Sequence, residues 1–307
     1  MDLLFTPENF SAKIKSYLGF VDADLKFVRL KSDVMFATNE IIDLIGETAY
    51  NEIKDSAEDS EFRFLVECAI ALKAYINYAP TADLSHTNNG RLMRRDDHNV
   101  SAFQWQIDAN DDSLEQKYYR HLDSLLKFMA LNNKDINQKK YDHANLLVPS
   151  LDIFEGEFNV NGSYLLYLKL LPALRECENL EILPRTGTEK FEALKTTSPD
   201  PQLLALAQKI CVNYALAWGA MRLNAQLFPK GILIYANSPN QGSGKNIKPS
   251  DKLQYLEAAM IFEADYRKYL VRLEERVSKL NEEPVTNPGI VEMPQLGFDR
   301  YSKFIDT

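Results

Sequence analysis

The sequence has few cysteines, and they are not arranged for a disulfide framework or a zinc site. The chain of 307 residues contains three, Cys68, Cys177 and Cys211, which are odd in number and widely spaced. Disulfide-stapled domains and zinc sites need paired or closely clustered cysteines. Each of the three has apolar neighbours, so we expect small buried side chains.

Positive charge is also in short supply. Lysine and arginine total 35 against 44 aspartates and glutamates, which gives a net charge of −9. A general nucleic-acid-binding protein needs a basic face that displaces counterions from phosphates, so this balance argues against that class. It does not argue against a protein that DNA slides past without binding, because an acidic wall repels the phosphate backbone.

Long apolar runs are missing as well. Residues 1–7 lack the basic and apolar regions of a secretion signal. No window reaches the roughly 18 apolar residues that a membrane span requires. We therefore expect a protein that is made and used without export and without insertion into a membrane.

The motifs that bind phosphate or calcium are incomplete. The segment 242–245, Gly-Ser-Gly-Lys, resembles part of a phosphate-binding loop, but Pro239 replaces its first glycine and Asn246 replaces the hydroxyl that would bind magnesium. The segment 108–112 has the alternating oxygen side chains that begin a calcium loop, yet Ser113 and Tyr119 replace the required glycine and glutamate. A polar loop and an acidic helix segment are the alternatives that we favour.

Signatures of catalysis are absent too. The four histidines, His86, His98, His121 and His143, form no zinc-binding pair at helical spacing, and no nucleophile elbow occurs. We predict a non-enzymatic protein with no catalytic residue, no cofactor and no metal. An enzyme with a carboxylate site inside a helical bundle stays open as an alternative, although the Glu-x-x-His pairs of di-iron bundles are missing.

What the sequence does contain is a similarity between its two halves. Gly46 and Gly187 lie 141 positions apart, and the same shift places Glu-Ile-Ile of 40–42 on Glu-Ile-Leu of 181–183. It also aligns Leu30 with Leu171, Leu65 with Leu206, Ala74 with Ala215, Ala79 with Ala220, Gly90 with Gly231 and Leu92 with Leu233. This pattern predicts a duplicated module, and chance similarity between two amphipathic helical halves is the alternative.

The fold class predicted is mainly α, because apolar residues recur at steps of three and four in both halves. In the second half, one face of a long helix is marked by Leu253, Leu256, Met260, Tyr266, Leu270, Leu273, Val277 and Leu280. We predict two similar helical modules in tandem, each with a short β arm, and an extended C-terminal tail. The first module covers 1–131, a linker 132–161, the second module 162–281 and the arm 282–307.

The arms and the tail are the predicted contacts between subunits. A short strand is expected near 91–94 and another at 232–235, each after a turn glycine. The charged cluster that includes Arg94 and Arg95 fits either a solvated loop or a contact with a neighbouring subunit. The predicted interface residues are Arg91, Leu92, Met93, Arg94, Arg95, Ile232, Ile234, Tyr235, Phe298, Tyr301 and Phe304, and the predicted structural turns are Gly46, Gly90, Gly187 and Gly231.

Three segments of the first module resemble an uncharacterised family of proteins encoded in the structural gene clusters of bacterial prophages. They are the apolar helix end at 41–50, the apolar helix at 64–78, and Ala-Phe-Gln-Trp-Gln at 102–106 followed by the helix at 118–128. The second module resembles the longer members of that family. These are packing motifs, so the resemblance supplies no catalytic residues.

The resemblance implies a virion structural protein, a head-to-tail connector or adaptor subunit that forms a ring at the capsid portal. Its expected partners are other copies of itself, the portal protein, and tail or other adaptor proteins, with DNA passing through the channel without sequence-specific binding. It would be assembled in the cytoplasm of a bacterial host and reside in the virion. A cytoplasmic helical adaptor protein unrelated to virions is the alternative.

Overall fold

The fold is taken from a computed structural model, which describes residues 2–19, 21, 25–57, 60–82, 84–87, 90–93, 103–132, 134, 136–137, 140–196, 199–224, 227–229 and 252–282. The first half contains helices α1 (Phe10–Leu18), α2 (Phe27–Ile45), α3 (Glu47–Asp55), α4 (Glu61–Ala82) and α5 (Gln104–Leu131), with strands β1 (Leu84–Thr87) and β2 (Gly90–Met93) before α5. The second half contains α6 (Leu151–Glu157), α7 (Tyr164–Cys177), a π-helical turn (Glu178–Ile182), α8 (Leu183–Thr186), α9 (Thr188–Leu194), α10 (Pro201–Arg222) and α11 (Lys252–Glu282). The prediction of a mainly α-helical fold is confirmed.

Local sequence explains where several helices begin and end. The side chain of Ser163 accepts a hydrogen bond from the Leu166 N–H at 3.2 Å and caps α7. Asp200 does the same for α10, accepting from the Leu203 N–H at 2.7 Å, and proline occupies the next position, where its missing N–H costs nothing. Gly19 closes α1 in the left-handed conformation, with φ of 67°.

Each half is built around one central helix. In the first half, α2 and α5 pack against α4, and α1 and α3 make smaller contacts with it. In the second half, α7 and α11 pack against α10, and α6 makes a smaller contact. Contacts between α5 and α7 join the halves, so their buried side chains form one continuous apolar core.

The two strands form a hairpin within the chain. They pair antiparallel, with Leu84 opposite Met93 and Thr87 opposite Gly90. The strand predicted at 232–235 falls in the segment 230–251, which lies outside the described residues. The finer parts of the predicted fold, two similar modules with matching β arms, therefore stay predictions.

Two features of the second half differ from the sequence-based expectation. The segment predicted as a linker, 132–161, contains α6, whose Leu151 and Phe154 are buried. Among the described residues, one helix, α10, is long and apolar enough to cross a membrane by length and composition. Half of its most apolar window is buried inside the protein, and α10 packs against α7 and α11, as the core helix of a folded domain does.

Candidate functional site

The predicted interface residues fall mostly outside the described part of the chain. Arg91, Leu92 and Met93 lie on β2. The remaining predicted positions lie in undescribed segments: Arg94, Arg95, Ile232, Ile234, Tyr235, Phe298, Tyr301 and Phe304. The described residues therefore do not test the predicted set, and the interface stays a prediction.

Two of the predicted turn glycines each separate a pair of helices. Gly46 separates α2 from α3 with φ of 89° and ψ of 154°, and Gly187 separates α8 from α9 with φ of 74° and ψ of 159°. This region of backbone space is essentially restricted to glycine. Gly90 is the first residue of β2, and Gly231 lies outside the described residues.

No metal or calcium site emerges from the residues that the structure describes. Asp108, Asn110 and Asp112 lie within α5, which continues as a regular helix, so they cannot wrap around an ion as a calcium loop does. Across the described ranges, no group of three or more histidine, cysteine, aspartate or glutamate side chains is placed to hold a metal.

The cysteines are buried, as expected. Burial and the nearby Glu67 carboxylate raise the pKa of Cys68 to about 12. The pKa of Cys211 lies well above its usual range because of its hydrogen bond with Cys177 and its complete burial. Since only the thiolate is a good nucleophile, these thiols fit a packing role.

One cleft lies where the two halves meet. It has a volume of about 740 Å³ and is bounded by α5, the segment before α6, and the start of α7. Two of its polar side chains serve structural contacts: His143 Nδ1 lies 2.7 Å from the Pro149 carbonyl oxygen, and Lys134 pairs with Glu52. The cleft lies at a joint between packed segments of the two halves.

A second, smaller depression is open, and its lining mixes apolar side chains with the charged Arg222 and Glu263. A groove of about 240 Å³ runs between the end of α10 and the start of α11, with Trp218, Met221, Leu256 and Met260 among its lining residues. The side chains of Met221 and Met260 are 52% and 59% exposed. The sequence pattern groups Leu256 and Met260 with Leu273 on one face of α11, and of these Leu273 is buried whereas Leu256 and Met260 are exposed.

The outer surface of α2 exposes three large apolar side chains among polar ones. Val28, Met35 and Phe36 are 84%, 40% and 61% exposed, whereas Leu30, Val34 and Ala37 of the same helix are fully buried. Sequence reasoning missed this face because one apolar stripe already satisfied the helical period. The signal available was the pair Met35-Phe36, which lies off that stripe.

Comparison with known proteins gives one match. Residues 37–145 match a family described as a family of unknown function, DUF6712. The match covers less than half of the chain and includes the three segments at 41–50, 64–78 and 102–128. No curated protein and no solved structure matches the chain.

Proposed function

We propose that this chain is a non-enzymatic virion structural protein, a head-to-tail connector or adaptor subunit that assembles into a ring at the capsid portal. The observation that carries the proposal is the open groove between α10 and α11, where the exposed Met221 and Met260 lie beside Arg222 and Glu263. Methionine, tryptophan and arginine are enriched where one protein surface contacts another. In a ring, each copy uses one surface to receive the next copy, and the groove suits that role.

The segment that would fill the groove is the C-terminal arm of a neighbouring copy. Helix α11 ends at Glu282, and 25 residues follow it. Their apolar side chains include Phe298, Tyr301 and Phe304. An extended chain of that length spans up to about 80 Å, enough to reach across a subunit boundary.

The proposed subunit is a tandem duplication, and the helix boundaries support this. The 141-residue shift relates α4 to α10, α3 to α9, and α2 to the run from α7 to α8, each within a few residues. It also relates α1 to α6, so the proposed repeat starts earlier than the predicted second module. Gly46 and Gly187, separated by the same shift, share one rare backbone conformation. We also propose that each module carries a short β arm.

The proposed partners are further copies of the chain, the portal protein, and tail or other adaptor proteins. DNA would pass through the ring without sequence-specific binding, in keeping with the net charge of −9. The proposed location is the virion, after assembly in the bacterial cytoplasm.

Electron microscopy and native mass spectrometry of the full-length protein test the proposal. We expect closed rings in the unmodified protein and their loss in Met260→Asp, because the change replaces an apolar contact with a second carboxylate beside Glu263, which is costly to bury under a neighbouring chain. Val271→Asp is the matched control, since Val271 lies on the same helix, is 56% exposed and does not line the groove. Monomers at every concentration, with no affinity for portal or tail proteins, would overturn the proposal.

The alternative is a cytoplasmic helical adaptor protein unrelated to virions, which the same groove would also serve. Genomic context separates the two. Terminase, portal and capsid genes beside this gene favour the connector, and their absence together with binding to a cytoplasmic protein favours the adaptor.

A further inference from the structure

The face of α2 that points away from the core carries three apolar side chains among polar ones. Val28, Met35 and Phe36 lie on it with Ser32, Asn39 and Asp43, because steps of three, four, seven and eight residues return to one side of a helix. All six side chains are exposed. The opposite side of α2 is buried against α4. A helix with apolar residues on two sides is suited to packing between two partners.

The charges of α2 run against its own dipole. Arg29 lies in the first turn, and Asp43 lies in the last; the first turn contains no acid and the last no base. The partial positive charge at a helix N-terminus favours acids there, and the C-terminus favours bases. The placement of these charges is therefore slightly unfavourable within one chain. A partner helix with an acid opposite Arg29 and a base opposite Asp43 would offset this cost.

A second copy of the same helix, running antiparallel, has that arrangement of charges. Arg29 and Asp43 each lie seven positions from Phe36, and Ser32 and Glu40 each lie four positions from it. Arg29, Glu40 and Asp43 also share one flank of the apolar stripe. A two-fold axis that lies between two antiparallel helices keeps this flank on the same side of the contact in both copies. It therefore brings Arg29 of each copy next to the acids of the other.

We propose that the outward face of α2 pairs with the same face of a second copy, antiparallel, about a two-fold axis beside Phe36. Phe36 and Met35 form the apolar centre of the contact, and two Arg29–Asp43 pairs close its ends. This is an isologous interface, distinct from the head-to-tail contact of the proposed ring and independent of it. It also uses a different helix, so each contact can be lost without the other.

The acids on α2 have partners within the chain that do not prevent this pairing. The Asp43 carboxylate lies 3.1 Å from Lys140 Nζ, and its side chain is 68% exposed. The Glu40 carboxylate lies 3.4 Å from Lys73 Nζ and is 49% exposed. Exposed ion pairs contribute little, and a carboxylate can accept an arginine as well as a lysine.

Sedimentation equilibrium measures the pairing directly. A contact of one helix face is small, so we expect a dissociation constant in the micromolar range. Phe36→Asp should weaken dimerisation by at least about tenfold, because it removes an aromatic side chain from the centre of the interface. Leu180→Asp is the matched control, since Leu180 is 61% exposed, as Phe36 is, but lies on the π-helical turn.

Charge exchange tests the orientation. Arg29→Asp alone and Asp43→Arg alone should each weaken the dimer several-fold, because each places like charges opposite one another. The double variant Arg29→Asp with Asp43→Arg should recover most of the affinity, since both pairs are rebuilt with reversed sign. A parallel or head-to-tail contact does not predict this recovery.

A single cysteine tests the two-fold axis. Met35→Cys places one thiol of each copy beside the axis, so oxidation should link two chains through the same position. The three native cysteines are buried and do not compete. Monomers at all concentrations, dimers insensitive to Phe36→Asp, or a double charge variant no better than the single ones would each overturn the pairing. Rings that survive Phe36→Asp while the dimer is lost would support it.

Discussion

The two halves of the chain fix their first helix, α1 or α6, to the central helix by different chemistry. In the first half, the buried Glu67 on α4 accepts from Lys13 Nζ at 3.0 Å and from the Tyr17 hydroxyl at 2.5 Å, which ties α1 to the core. At the position 141 residues later stands Gln208, whose amide donates to the Leu147 carbonyl at 2.9 Å, just before α6. One half uses an ion cluster where the other uses a neutral amide.

The second half places its buried carboxylate elsewhere. Glu178, in the π-helical turn, accepts from the Leu147 N–H at 2.5 Å and from Lys195 Nζ at 2.9 Å. The position 141 residues earlier is Ala37, an apolar core residue. A shared helix plan therefore tolerates different polar anchors, provided that each buried charge has its partners.

The largest expected effect comes from breaking the cluster in the first half. Glu67→Ala should lower the free energy of unfolding by about 3–5 kcal/mol, because it strips the carboxylate from the partly buried Lys13 and Arg63. Chemical denaturation measures this. Lys54→Ala, which removes a surface pair with Asp2, should cost less than about 1 kcal/mol. Equal losses for both variants would contradict the importance of burial.

The corresponding change in the second half should be milder. Glu178→Ala removes the acceptor from the buried Leu147 N–H and the partner of Lys195, at an expected cost of about 2–4 kcal/mol in unfolding free energy. Glu178→Gln keeps one acceptor oxygen and should recover part of that loss. If Glu178→Ala proves more damaging than Glu67→Ala, the ranking of the two anchors is wrong.

The junction between the halves should depend on pH. Burial raises the pKa of Asp123 to about 6, although the Leu165 N–H and the Ser163 hydroxyl both donate to its carboxylate. A raised folded-state pKa favours the protonated form, so this stability is complete below about pH 4 and is lost as pH rises through about 6. The loss is about 2–3 kcal/mol by linkage.

Unfolding experiments from pH 4 to pH 7 on the unmodified protein and on Asp123→Asn measure this effect. The variant cannot ionise, so its stability relative to the unmodified protein should improve between about pH 4 and pH 6 and then level off. Two stability curves that stay parallel across this range would show that Asp123 does not titrate as described.

The smallest effect is the most direct test of equivalence between the halves. Gly46→Ala and Gly187→Ala should each cost about 1–3 kcal/mol, and by similar amounts, because both force a side chain into a backbone region reserved for glycine. An added Cβ meets no atom within 4 Å at Gly187 and only the Asn137 Cα, at 3.8 Å, at Gly46. Thermal or chemical unfolding compares them.

Gly156→Ala is the control for this pair. Gly156 lies within α6, and an added Cβ meets no atom within 4 Å there. Alanine favours the helix, so the change should be neutral or stabilising by up to about 1 kcal/mol. A large difference between Gly46→Ala and Gly187→Ala would argue against equivalent turns.

The sequence predicted the secondary structure better than it predicted which apolar side chains are exposed. The helical period predicted the mainly α fold, and the sequence placed turns at Gly46 and Gly187, each of which separates two helices. The groove at Met260 and the outward face of α2 were not predicted. Apolar periodicity identifies a face that can pack, but it does not say how much of that face a neighbouring helix covers.

The sequence by itself determined the helices, the turn glycines and the burial of the three cysteines, because these depend on local backbone preference and apolar spacing. Only the tertiary structure decided that Glu67 and Glu178 are buried with their partners and that Phe36 points outward. It also decided that the Asp123 carboxylate on α5 accepts a hydrogen bond from the start of α7. Those facts depend on contacts between residues far apart in the chain, and a single sequence carries no direct record of such distances.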